Sequence, residues 1–165
     1  MKKIMKFMPV AALVAVTSAG SAFAADLPKE GSYDFNACYS GVANPIAFSK
    51  THSAFSYEMF GSTLSNPPGG MFDKASFRCL GLTTSFDGKA TISVVCETIY
   101  PDGGKTLSKF SDAADGTLVR EVVAGTGKYE GIVSRGTAVQ LGDFPAIKAG
   151  TFQICNHQTG TYKLK

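Results

Sequence analysis

The chain has 165 residues, with 16 Lys and Arg against 13 Asp and Glu and a formal net charge of +3. The excess lies at the N-terminus, where Lys2, Lys3 and Lys6 precede the apolar run Phe7 to Val16 and Ala22-Phe23-Ala24 fits the small-x-small rule. This is the pattern of an export signal cleaved after Ala24. Residues 25–165 form a neutral remainder, which gives no electrostatic case for nucleic acid or anionic lipid, and the length suits one domain rather than two.

The apolar run is shorter than the ~20 residues a helix needs to cross a bilayer, so stable membrane insertion is not expected. Export implies an oxidising compartment, the periplasm or the exterior. All four cysteines, Cys38, Cys79, Cys96 and Cys155, come after the signal, and an even count in an exported chain reads as two disulfides. Zinc is the rival use of cysteine, but no two stand at C-x₂-C spacing and there are only two histidines. No metal or other cofactor is expected.

Short alternating runs dominate the chain. Tyr33, Phe35, Ala37 and Tyr39 alternate with Ser32, Asp34, Asn36 and Cys38, a half-buried strand at period two. Pro45 interrupts the chain beyond it. His52 to Phe60 forms a second strand, with Phe55, Tyr57 and Met59 on one face and His52, Ser56 and Glu58 on the other. Ser65-Asn66-Pro67-Pro68-Gly69-Gly70 lacks the N–H donors of a central strand and reads as a connecting loop over one end of a barrel.

The central hairpin, Ala75 to Tyr100, carries the most information. Its Asp87-Gly88 turn lies between two strand-like runs, and Asp-Gly there is a strong hairpin signal because both turn residues accept positive φ. That register sets Cys79 opposite Cys96 at a non-hydrogen-bonded position, where Cα atoms about 4.5 Å apart are compatible with a disulfide. It also sets Arg78 opposite Glu97. Of the three connectivities, Cys79–Cys96 with Cys38–Cys155 is therefore favoured, and the second pair suits a sheet that closes on itself.

Further strands are read at Thr106 to Phe110, Leu118 to Ala124, Ile132 to Leu141, Gly150 to Asn156 and Thr161 to Leu164. Turns fall at Tyr100 to Gly104, Asp112 to Gly116, Gly142 to Pro145 and Cys155 to Gly160. The expected fold is all-β: a single closed antiparallel barrel of about eight strands. Closure would also remove the exposed sheet edges.

Val122-Val123-Ala124-Gly125-Thr126-Gly127-Lys128-Tyr129-Glu130-Gly131-Ile132, with Gly136 beyond it, resembles the G-[TS]-G-[KR]-[FY]-x-[GA] segment of the allene oxide cyclase and dirigent barrels. The resemblance covers about fifteen residues. It implies an eight-stranded calycin-like antiparallel barrel in which this segment joins two neighbouring strands, a lumen able to hold an apolar small molecule, and homo-oligomers such as dimers or trimers. No catalytic residue of either family maps onto this chain. The residues themselves indicate a structural turn, with Gly125, Gly127 and Gly131 supplying backbone freedom and Tyr129 burying its ring as an anchor. A phosphate-binding loop would need a helix after the glycines; a β-run stands there instead.

His52 and His157 read as surface histidines, for no G-x-S-x-G elbow or free thiol accompanies them. Arg78, Glu97, Tyr100, Glu58 and Arg120 are the candidate pocket residues. Arg78 and Glu97 have a competing reading as an outward cross-strand pair contributing under about 1 kcal/mol. The functional expectation is an exported, non-catalytic barrel that binds a small apolar or amphipathic ligand or a protein partner. Two alternatives stand beside it: an isomerase or cyclase confining a lipid-like substrate, and a structural or host-interaction protein.

Overall fold

The computed structural model describes residues 28–113, 115 and 117–165; the expected export signal, residues 1–24, lies outside them. Eight antiparallel strands close into a barrel, each paired with its neighbours in chain order and the last with the first. They are β1 (Glu30–Ala47), β2 (Ser53–Ser65), β3 (Ser76–Phe86), β4 (Lys89–Ile99), β5 (Lys105–Asp112), β6 (Leu118–Gly125), β7 (Val133–Phe144) and β8 (Thr151–Lys163).

Alternation sorts each strand into a lumen face and an outer face. Tyr33, Phe35 and Ala37 of β1, Met59 and Thr63 of β2, and Val94, Cys96 and Thr98 of β4 are buried inward, with exposed or half-buried positions between them. The lumen face holds both aromatic and glycine positions, and the two are complementary. Gly136 of β7 pairs with Gly160 of β8, and Tyr33 lies across them. A Cβ at Gly136 would sit 2.2 Å from Tyr33 Oη and 2.1 Å from the Thr159 carbonyl oxygen. Only bare backbone leaves space for the ring at that pair.

The central hairpin has the register that its turn dictates. Asp87 and Gly88 have φ of 52° and 76°, Cys79 faces Cys96, and Arg78 faces Glu97. The Cys79–Cys96 disulfide has a Cα separation of 4.0 Å and lies on the lumen face, both residues buried. Cys38 and Cys155 are register partners in the β1–β8 pairing and are also bonded, so the second disulfide spans the seam where the sheet meets itself. Two disulfides suggest an oxidising environment.

Four expected boundaries move. β1 runs through Pro45, which pairs with Phe55 of β2. Proline is tolerated because the β8 pairing ends at Val42–Thr151, leaving Pro45 on an edge that asks for no N–H donor. β7 continues through Gly142, the expected start of a turn, by way of a β-bulge between Gln140 and Gly142. The polar run Cys155 to Gly160 is the middle of β8 and not a turn; β1 and β7 pair with it on both sides. β2 extends to Ser65, five residues beyond the expected strand end.

The two ends of the barrel differ. The connections 48–52, 87–88 and 145–150 lie at one end, together with Ala113 and Thr117 at the ends of β5 and β6, and Phe48, Phe86 and Ile147 are exposed there. At the other end, the chain after Pro68 folds back so that Met71, Phe72 and Ala75 are buried against Tyr33, Phe35, Tyr100 and Tyr129. This plug takes an unusual backbone, Phe72 and Lys74 having φ of 68° and 51°. Its hydrogen bonds are local. Asp73 Oδ1 accepts from the Ser65 amide at 2.8 Å and Oδ2 from the Gly69 amide at 2.9 Å, while Thr63 Oγ1 donates to the Phe72 carbonyl.

Candidate functional site

Above the plug, the lumen encloses a cavity of about 620 Å³. Its wall is mainly apolar and aromatic: Phe35, Tyr39, Tyr57, Met59, Phe77, Val94, Phe110 and Phe152 contribute, together with the Cys79–Cys96 disulfide. Pro45 and Phe55 line the cavity and are exposed, so it reaches solvent at the mouth. A volume of this order is typical of small-molecule sites, which lie between about 300 and 1,000 Å³.

Polar groups are few and mostly deep, with Gln140 and Thr83 the less buried ones. Thr98, Ser108, Arg120, Asn156 and Gln158 all line the cavity and are buried. Gln158 Nε2 donates to Asn156 Oδ1 at 2.9 Å. Tyr100 and Thr106 share a hydroxyl–hydroxyl hydrogen bond of 2.8 Å at the closed end. Burial holds the Tyr100 phenol well above its ordinary range, against the lowering influence of the Arg120 charge. Burial also raises Tyr39 and Tyr57, so these two phenols, like Tyr100, stay protonated at neutral pH.

Arg120 stands out. It is only 4% exposed, and its guanidinium lies over three rings, with Cζ 4.4 Å from the Phe72 centroid and 5.6 Å from those of Tyr33 and Phe35. Nη1 is buried without a hydrogen-bond partner, and no carboxylate of the described residues forms an ion pair with the group.

The pocket candidates divide by face. Tyr100 and Arg120 line the lumen. Glu58, Arg78 and Glu97 project outward, and they must, because Met59, Cys79 and Cys96 beside them point in. Although Arg78 and Glu97 are opposite in register, each chooses a different partner. Arg78 Nε donates to Glu58 Oε1 at 2.5 Å, and Lys105 Nζ donates to Glu97 at 2.9 Å. Sequence reasoning missed Asn156, Gln158, Ser108 and Phe72. Alternation on β8 carried a signal for the first two, which their polarity concealed.

The glycine segment joins β6 to β7, which are neighbours in the barrel. Gly127 and Gly131 have φ of 60° and 70°, and a Cβ on Gly125 would sit 2.1 Å from the Tyr129 carbonyl oxygen. Tyr129 is buried against Tyr100, with ring centroids 4.2 Å apart. His157 contacts Asp34 at 2.9 Å on the outer face, and His52 lies by the mouth beside Asp87 at 3.5 Å. Among the described residues no group of three or more His, Cys, Asp or Glu is placed to hold a metal ion. No helix of the described residues is long and apolar enough to cross a membrane.

No family model, curated protein or solved structure matches the chain.

Proposed function

We propose that this is an exported, non-catalytic binding protein that takes a small apolar or amphipathic molecule into the barrel lumen. The observation that carries the reading is the cavity of about 620 Å³, walled chiefly by apolar and aromatic side chains and reaching solvent at one end. The two cystines support an oxidising compartment and thus export, to the periplasm or beyond. Kinship with the allene oxide cyclase and dirigent barrels is part of the proposal, supported by the eight-stranded closure and by the glycine segment linking neighbouring strands.

Binding is favoured over catalysis by the composition of the wall. No Asp or Glu is among the described residues that line it, and a cyclase or isomerase moving a proton calls for a base there. The outer face argues for an aqueous setting. Arg78–Glu58, Lys105–Glu97, Lys109–Glu121 and Arg135–Glu121 cross it, where a lipid-facing barrel carries an apolar band.

The test uses the apolar fluorophore N-phenylnaphthylamine. Saturable fluorescence enhancement at one molecule per chain is expected with the oxidised protein, and Val94→Trp, which fills the lumen, abolishes it. No binding, or binding indifferent to that substitution, sinks the proposal.

A second reading, association through the outer face, is favoured by one observation: Phe60, Leu64, Leu80 and Val95 are 47–64% exposed on β2, β3 and β4. Light scattering decides it; a dimer or trimer supports it and a monomer at high concentration removes it.

A further inference from the structure

From the state of Arg120 we infer that the lumen ligand carries a carboxylate, which docks head-down on this guanidinium with its apolar body pointing to the mouth. The inference rests on the lumen-binding reading above and adds the ligand's charge, its polar group and its orientation.

A buried charge requires a counter-charge or a dense set of hydrogen bonds, because desolvation is costly. Arg120 has neither among the described residues. It is 4% exposed, Nη1 is unpartnered, and none of the ion pairs includes it. Ring faces supply part of the compensation. Phe72, Tyr33 and Phe35 surround the guanidinium at 4.4, 5.6 and 5.6 Å, an arrangement that fixes a cation without neutralising it.

The backbone also makes room for this side chain. Arg120 is paired with Gly136, and Gly136 with Gly160, so no neighbouring side chain on β7 or β8 stands at that level. On β5, two lumen-face positions are diagonal to Arg120: Ser108, whose Oγ is likewise buried and unpartnered, and Asp112, whose carboxylate accepts from the Ile92 amide and forms no ion pair with Arg120. A planar guanidinium fork with an adjacent hydroxyl donor matches the two oxygens of a carboxylate. The rest of the wall toward the mouth is mostly apolar, which suits the remainder of such a molecule.

The discriminating pair is naphthaleneacetate and naphthaleneacetamide, nearly identical in shape and differing in charge. Each is titrated against lumen-bound N-phenylnaphthylamine. On the wild-type protein the acid should displace the fluorophore at a concentration at least about tenfold below the amide, the margin expected for a charge-assisted bond in place of a neutral one. In Arg120→Gln the ratio of acid to amide displacement should fall to about one, whatever the change in affinity for the fluorophore itself. Equal displacement by acid and amide overturns the inference and leaves lumen binding standing. An advantage that persists in the variant also overturns it, by placing the anion elsewhere. If the fluorophore does not bind at all, the lumen reading falls and takes this inference with it. Should Arg120→Gln fail to fold, the acid-to-amide ratio on the wild type decides alone.

Discussion

The seam cystine and the hairpin cystine should differ in what they contribute, and the difference can be calculated from chain topology. Cys38–Cys155 closes a segment with a sequence separation of 117, Cys79–Cys96 one of 17. In the chain-entropy model the first restricts the unfolded ensemble by about 5 kcal/mol and the second by about 3 kcal/mol. Simple removal of each pair would blur this contrast, because Cys79 and Cys96 are buried and their sulfurs also pack. A cleaner comparison uses Cys79→Ala/Cys96→Ala and Cys38→Ala/Cys155→Ala, each retaining one cystine. Every variant is then compared with its own reduced form, so that packing cancels. Urea unfolding should show reduction costing about 2 kcal/mol more at the seam than in the hairpin, a difference of about 1 M in midpoint shift. Equal costs, or a larger cost in the hairpin, would refute the view that the seam bond acts mainly by limiting the unfolded chain.

Gly136→Ala should destabilise by about 1–3 kcal/mol in thermal unfolding, since the new methyl meets both the Tyr33 hydroxyl and the Thr159 carbonyl. Adding Tyr33→Phe should not restore it, because the carbonyl clash remains. Asp73→Asn should cost about 1–2 kcal/mol at neutral pH through the Ser65 and Gly69 amides. Burial raises the Asp73 carboxyl, but those amide bonds together outweigh it and hold its pKa below the ordinary value. Its contribution is therefore present above the unfolded carboxyl pKa, about 4, and is lost as pH falls through the native one. The gap between wild type and variant in denaturant midpoint should close in acid; a gap that widens there would contradict the assignment. Glu58→Ala, which breaks an exposed ion pair with Arg78, should shift stability by less than about 1 kcal/mol and leave fluorophore affinity unchanged.

The parts of the fold legible in the sequence are those with local determinants. Asp87-Gly88 selects a two-residue turn, and the turn alone fixes the Cys79–Cys96 and Arg78–Glu97 registers. Alternation likewise assigns Phe55, Tyr57 and Met59 to one face of β2 and Arg120 with Val122 to one face of β6. Sequence reasoning fails where a neighbour's pairing decides the outcome. Pro45 looks like a strand terminator until β8 is seen to stop short of it. Asn156 and Gln158 look like turn residues because a lumen that carries polar groups reverses the usual sign of the pattern. Alternation separates Glu58 from Phe55, Tyr57 and Met59 without saying which face is the lumen, and the closed barrel takes the apolar face inward and leaves Glu58 outside. The plug is the plainest case: Met71 and Phe72 are drawn into the core through positive-φ backbone that no local propensity favours.

That plug has a kinetic corollary. With one end sealed by Phe72 and its aromatic neighbours, whatever enters must leave by the same door, between the rims at 48–52, 87–88 and 145–150. For a molecule held in the lumen as proposed above, residence time would then depend on passage through that single mouth rather than on throughput along an axis. Changes made there should alter entry and exit rates together, with the affinity nearly untouched.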